Sequence, residues 1–93
     1  MLWVLRVIRQ VFPMPTIFIH NGYRVSFYSY DLAERMQVHV FKSGHECKIW
    51  LDDLTVAFNR GFKPHEVAEI RRVIAERRAE IVEVWLEHGR NQN

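Results

Sequence analysis

Hydrophobic and polar residues largely alternate over residues 37–51, on both sides of Ser43-Gly44. Because successive side chains of a strand point to opposite faces, this pattern predicts a β-hairpin that turns at Ser43-Gly44. One face of the hairpin is expected to be core, with Val38 opposite Ile49 and Val40 opposite Cys47. The other face is expected to carry polar and aromatic residues in three further pairs: His39 with Lys48, Gln37 with Trp50, and Phe41 with Glu46.

A second hairpin is predicted around Asn21-Gly22, the strongest two-residue turn signal in the chain. The expected pairs are His20 with Tyr23, Phe18 with Val25, Ile19 with Arg24, and Ile17 with Ser26. Arg24, Ser26, Tyr28 and Tyr30 then share one face. Residues 31–36 between the hairpins are interpreted as a loop, with a single helical turn as the alternative.

Helical spacing recurs at both ends of the chain. Residues 1–13 carry apolar residues at helical spacing and predict a short amphipathic extension that ends before Pro13 and packs on the domain or on a partner. Arg6 and Arg9 interrupt its apolar run, so it does not fit a signal peptide, and it is too short to span a bilayer. Attachment to a membrane surface is the less favoured alternative, because more lysine or arginine would then be expected, and no membrane is predicted as a partner.

Two more helices are predicted after Leu51. A short one is expected to end at Gly61, because Leu54, Ala57 and Phe58 have helical spacing and Asn59-Arg60-Gly61 is a natural stop. A long one is expected from Pro64 to about His88, because one apolar stripe runs through it. Arginines on this helix alternate with glutamates, as in Arg72 and Glu76, which favours a solvated face over a nucleic-acid patch.

These elements predict one α+β domain over residues 14–93. Its four-stranded antiparallel sheet, made of the two hairpins, is expected to pack against the long C-terminal helix, because the helix stripe and one sheet face must bury each other. The single Cys47 excludes an internal disulfide and a multi-cysteine metal site, and its place on the core face predicts a buried thiol in a reducing, cytoplasmic compartment.

Catalytic signatures are sparse. The sequence has no phosphate loop, nucleophile elbow or zinc pattern, which excludes most hydrolases, kinases and metalloenzymes, and no cofactor or metal is expected. Asp52 and Asp53 are adjacent and are expected to diverge. The remaining histidines are expected at the surface: His20, His45, His65 and His88.

Three segments together resemble a small bacterial family, the domain of unknown function DUF4160: MPTIFIHNGYRVSFYSYD, VHVFKSGHECKIWLDDLTVAFNRGF and a helix ending in EVWLEH. The resemblance covers residues 14–88. Family members usually begin at Met-Pro-Thr, which implies that residues 1–13 are an extension or that translation starts at Met14. The family commonly has Pro-Pro-His before Val-His-Val, whereas this chain has Arg35-Met36-Gln37, so a two-histidine mechanism is not expected.

The resemblance also implies a functional class, since genes of this family often stand beside another small gene in pairs like toxin–antitoxin modules. The leading hypothesis is a small bacterial protein of such a pair that acts through a protein partner encoded nearby, with RNA as a second candidate target. Cleavage of RNA would need a general base or acid, cations for phosphate charge and aromatics for stacking. The candidate catalytic residues are His39, Lys48, Arg24 and Tyr28, with Tyr30 available for stacking.

The alternative is a non-catalytic protein–protein interaction module. It would use an aromatic sheet face or sheet edge, with Tyr30, Phe41 and Trp50 as the candidate binding residues. Specific DNA binding is not expected, because the sequence offers no helix-turn-helix and its long helix carries mixed charge. A homo-oligomer is a further alternative.

Overall fold

The computed structural model describes residues 13–28 and 35–91, with side chains over residues 16–27 and 35–88. The predicted amino-terminal helix, Tyr30 and most of the predicted loop before Arg35 lie outside the described residues. Within the described ranges the chain forms five strands and then two helices: β1 (Pro13–His20), β2 (Tyr23–Tyr28), β3 (Gln37–Lys42), β4 (His45–Trp50), β5 (Val56–Arg60), α1 (Pro64–Glu76) and α2 (Arg78–Asn91).

The strands form one antiparallel sheet in the order β1-β2-β3-β4-β5. Both predicted hairpins are confirmed, and their turns have positive φ at both central residues: 49° and 82° at Asn21-Gly22, and 51° and 81° at Ser43-Gly44. Such turns match the twist of the strands they join. The register predicted for β3 and β4 is confirmed at every pair, including His39 with Lys48.

One predicted pair in the first hairpin is wrong. Ser26 pairs with Thr16 rather than with Ile17, although the three pairs nearer the turn are as expected. A register shift between Thr16 and Phe18 places an extra residue in β1. Because the extra residue lies beyond the three pairs nearest the turn, counting outward from Asn21-Gly22 gives the wrong partner for Ser26.

The prediction of a short helix that ends at Gly61 is also wrong, because Val56–Arg60 is a fifth strand. It pairs with β4, placing Phe58 opposite Lys48 and Arg60 opposite Glu46. A segment this short gains little as an isolated helix, whereas the free edge of β4 offers it backbone hydrogen bonds. Leu54, the first residue of the expected helical stripe, instead has φ of 63° and belongs to the turn before β5.

The long C-terminal helix is present but broken. It begins at Pro64 as predicted and extends past His88, yet α1 and α2 are separated at Arg77, where φ is −111° and ψ is 19°. The Arg77 guanidinium lies 3.6 Å from the centre of the Phe18 ring and bonds to Glu80. The backbone N–H of Arg77 still donates to the carbonyl of Val73, and that of Ile81 to the carbonyl of Arg77, both at 3.1 Å, and no helical stop signal in the sequence marks this position.

The core lies between one face of the sheet and the two helices, and this sheet face is here called the core face. Val38, Val40, Cys47 and Ile49 of β3 and β4 are fully buried, as predicted. The helices contribute a smaller set of buried side chains, namely Ile70, Val73, Ile74, Ile81 and Trp85. No helix in the described ranges has the length and apolar character needed to cross a membrane.

Two arginines of the helices form hydrogen bonds to the turn between β4 and β5. Arg71 Nε donates to the carbonyl of Leu54 at 2.7 Å, and Arg78 Nε donates to that of Leu51 at 2.6 Å. The predicted pair of Arg72 with Glu76 is confirmed at 3.1 Å. Arginines of the helices are therefore engaged within the fold.

Candidate functional site

The sheet face opposite the helices, here called the outer face, gathers the candidate residues. β2 contributes Arg24 and Ser26. The strands β3, β4 and β5 add the side chains that follow in register across the sheet. The further members are Gln37, His39, Phe41, Glu46, Lys48, Trp50, Phe58 and Arg60. Tyr28 ends β2, with its side chain outside the described set.

His39 has Glu46 as a side-chain partner. Its Nδ1 lies 2.9 Å from Glu46 Oε2, whereas Lys48, its register partner, places its ammonium 4.8 Å from the centre of the Trp50 ring. Sequence reasoning named Glu46 only as the residue opposite Phe41 and missed this contact. The diagonal relation between positions 39 and 46 was available from the register and is the signal that finds it.

The His39 imidazole is buried between aromatic rings and is 5% exposed. The Phe41 ring centre lies 6.2 Å away and nearly parallel, and the Phe58 ring centre lies 6.0 Å away. Position 37, where the family commonly has histidine, holds a fully buried Gln37 whose amide donates to the carbonyl of Arg35 at 3.2 Å. The middle of the outer face is thus packed rather than open.

Around this packed centre, cations lie over aromatic rings. The Arg24 guanidinium is 4.7 Å from the centre of Phe41, and the Arg60 guanidinium is 4.4 Å from that of Phe58. Trp50 is partly exposed and has Lys48 and Arg35 above it. Cation–π contacts of this type hold the guanidinium and ammonium groups in place while keeping them hydrated.

The predicted catalytic residues do not form one constellation. Among the described side chains each engages a different group: Arg24 the Phe41 ring, His39 the Glu46 carboxylate, and Lys48 the Trp50 ring. The predicted binding residues Phe41 and Trp50 both lie on the outer face, each beneath a cation.

Asp52 and Asp53 converge, which corrects the expectation that they diverge. Arg35 donates to both oxygens of Asp52, at 2.6 and 2.8 Å, and its guanidinium lies 3.3 Å from Asp53 Oδ2. The expectation assumed strand geometry, but these residues belong to the turn after β4. The hydrogen bonds from Arg35 hold the pKa of Asp52 below its usual range, and those from Thr55 lower the pKa of Asp53.

An open groove lies between the two hairpin turns and has a volume of about 530 Å³. Its lining includes Ile19, Arg24, Phe41, Lys42, His45 and Glu46. Lys42 Nζ donates to the carbonyl of Asn21 at 2.9 Å and lies 4.3 Å from the centre of the Tyr23 ring. The groove therefore joins one end of the outer face to both turns, and sequence reasoning did not find it.

The family model for a domain of unknown function, DUF4160, matches residues 22–86. The chain belongs to this family. The match extends from the first hairpin turn into α2 and so includes all outer-face residues of β2 to β5. The comparisons with curated proteins and with solved structures gave no match.

The described part of this DUF4160 chain contains no group of three histidine, cysteine, aspartate or glutamate side chains placed to hold a metal ion. Cys47 is fully buried, as predicted, and burial raises the pKa of its thiol to about 12. The thiol is protonated at neutral pH, so Cys47 does not provide a nucleophile.

Proposed function

We propose that this protein is the partner-binding member of a toxin–antitoxin-like gene pair, and that it binds its protein partner through the outer face of the sheet. The observation that carries the proposal is the set of cations held over partly exposed aromatic rings at Phe41, Trp50 and Phe58. Arginine and aromatic side chains are the residue types enriched at the energetic centres of interfaces. The toxin–antitoxin-like gene pair in this proposal is what the resemblance to the family implies.

Binding accounts for the outer face better than catalysis does. A general base must reach the proton it abstracts, yet the imidazole of His39 is 5% exposed, and its Nδ1 is held by Glu46. Lys48 directs its ammonium toward the Trp50 ring, whose centre lies 4.8 Å away. This arrangement supports a packed centre surrounded by a rim of cations that are available for binding, namely Arg24, Lys48 and Arg60.

The chemistry of the rim indicates an acidic partner surface. Among the described residues, neither Arg24 nor Lys48 forms an ion pair, and Arg60 is 71% exposed, 3.7 Å from Glu46. Carboxylates of a partner would form ion pairs with these cations, while a side chain of the partner covers Trp50. A cytoplasmic location belongs to the same proposal and is supported by the single, buried Cys47.

The test is co-purification with the tagged product of the adjacent gene, followed by measurement of Kd for Trp50→Ala. We expect the parent to form the complex and Trp50→Ala to weaken it about thirtyfold, since truncation of an interfacial tryptophan anchor commonly costs about 2 kcal/mol. Leu86→Ala is the matched control, because Leu86 is an exposed apolar residue of α2, 46% exposed. Absence of a complex, or equal weakening by the control, would overturn the proposal.

Growth after induced expression separates binding from the catalytic alternative. Catalysis through His39 requires that the parent arrest growth and that a folded His39→Gln variant fail to do so. We expect the two chains to behave alike, because glutamine can still donate to Glu46 and preserve the packed face. A difference between two chains of equal melting temperature would contradict the binding proposal.

A further inference from the structure

The sheet ends at β5, and the backbone of this strand is bonded along one side only. β5 pairs with β4 and is the last strand in the sheet order. Within the described ranges no backbone hydrogen bond connects Val56–Arg60 to any other segment. Every residue of β5 is exposed except Phe58, which is half-buried. The strand therefore presents a row of N–H and C=O groups to which a further strand can bond.

The two edges of the sheet differ in how they are protected. β1, at the opposite edge, contains Pro13 and Pro15 together with two register shifts. Proline lacks the N–H that an added strand would bond to, and bulges twist an edge away from a neighbour. β5 contains neither proline nor lysine, and its single register shift lies at its start, before Phe58. The β5 edge is thus the one that remains able to accept another strand.

The charges on either side of β5 favour a second copy of this chain as the added strand. The turn before β5 holds two carboxylates, Asp52 and Asp53, with one guanidinium, that of Arg35, and is negative on balance. Lys63, which follows β5, is exposed and forms no ion pair within the described residues. In an antiparallel pair of identical strands, the start of each strand lies beside the end of the other. Each acidic turn would then face the second copy's Lys63, whereas parallel pairing would bring like turns together.

Antiparallel pairing also leaves the outer face available. Directly opposite residues of antiparallel strands share a face, so pairing about Phe58 would continue the outer face of one copy into that of the second. The added hydrogen bonds run between backbone groups in the plane of the sheet. The rings of Phe41 and Trp50 would therefore stay uncovered for the protein partner.

We propose that two copies of this chain pair through β5 in antiparallel orientation and join their five-stranded sheets into one continuous sheet. A two-fold axis at β5 would satisfy the open backbone groups of both copies with one interface. The proposal goes beyond partner binding, because it uses the edge of the sheet rather than its face. It gives a dimer with both outer faces on one side, and hence with two sites for the partner.

The experiment is sedimentation velocity on the full chain without its partner, from micromolar to near-millimolar concentration. We expect the parent to pass from the mass of one chain, 11.2 kDa, to twice that mass. Ala57→Lys should weaken dimerisation at least about tenfold, because lysine on an edge strand opposes pairing and the change is present in both copies. Ala75→Lys is the matched control, since Ala75 is an exposed alanine of α1, and it should dimerise as the parent does.

The orientation of the strands is tested by Lys63→Glu. In the antiparallel dimer this change brings like charges together at both ends of the interface, so it should weaken dimerisation at low salt. In about 1 M salt its Kd should approach that of the parent, because salt screens exposed charges. Hydrogen exchange of the parent should show β5 amides becoming protected as the concentration rises, while the exchange of β1 amides stays unchanged.

Several outcomes would overturn the dimer. These are a parent that stays monomeric at every concentration, equal weakening by Ala75→Lys, and β5 amides whose exchange is independent of concentration. Undiminished dimerisation of Ala57→Lys would place the interface elsewhere, and tighter dimerisation of Lys63→Glu would contradict the antiparallel orientation. Trp50→Ala should dimerise as the parent does, and the partner is absent throughout, so failure here and failure of the partner proposal are separate results.

Discussion

At His39 the backbone register and the side-chain partner differ. The register pairs it with Lys48, but the imidazole contacts Glu46, one diagonal position along β4. Lys48 lies over Trp50, since a long aliphatic stem lets an ammonium reach a neighbouring ring. The sequence pattern therefore predicted which residues lie on the outer face. Which charged groups contact each other there depends on the length and direction of the side chains.

Cys47 gives a prediction about reactivity and pH. Burial raises the pKa of its folded-state thiol to about 12 from an ordinary value of 9.0, so the native state keeps a proton that the unfolded state loses above pH 9. This contribution to stability is fully present below pH 9 and declines as the pH rises toward 12, by about 1.4 kcal/mol per pH unit at most.

The measurement is the free energy of unfolding in urea at several pH values between 8 and 10.5, roughly the range over which an ordinary thiol ionises. The parent should lose stability with rising pH more steeply than Cys47→Ala, which lacks the thiol. A thiol reagent should label Cys47 only in denaturant. Parallel pH profiles or rapid labelling of the folded chain would contradict the burial described here.

At the scale of elements, the connection between β5 and α1 depends on close packing as well as on backbone shape. Asn59 bridges to the backbone of Phe62 through two hydrogen bonds, and Gly61 between them has φ of 106°. A Cβ at Gly61 would lie 2.1 Å from Nδ1 of His45. His45 is exposed as predicted, yet its ring packs against Phe62 and blocks this position.

Gly61→Ala should therefore destabilise the chain more than Gly44→Ala. Gly44 also has positive φ, 81°, but has open space around its Cα, so alanine there meets only backbone strain of about 1–2 kcal/mol. Gly61→Ala adds the clash with His45 and should cost at least about 2 kcal/mol. His45→Ala in the same chain should recover part of the difference, as measured by urea unfolding, and no recovery would count against a steric cause.

At the scale of the whole molecule, the sheet and both helices share one core. Ile74 of α1 and Ile81 of α2 are fully buried in the same cluster as the strand residues Val38 and Ile49. Arg71 and Arg78 bond the helices to the turn before β5. The described part of the chain should consequently unfold as one cooperative unit, as single-core domains of this size do.

Ile74→Ala tests this cooperativity. It should lower the free energy of unfolding by about 2–5 kcal/mol through reduced burial and the cavity left behind, whereas Leu86→Ala on the exposed side of α2 should change it by less than about 0.5 kcal/mol. Far-UV circular dichroism and tryptophan fluorescence should report the same urea midpoint in both variants. Separate midpoints would mean that the helices and the sheet unfold independently.

Local patterns determined the two hairpins, their turns and most of their register, because alternation and the positive-φ turn residues act between neighbours in the chain. They also determined the core face, the burial of Cys47 and the start of the C-terminal helix at Pro64. Only the tertiary structure decided the strand Val56–Arg60 and the groove between the two hairpin turns, because each depends on contacts between elements distant in sequence. A free strand edge and a neighbouring hairpin turn supply those contacts, and hydrophobic periodicity carries no record of them.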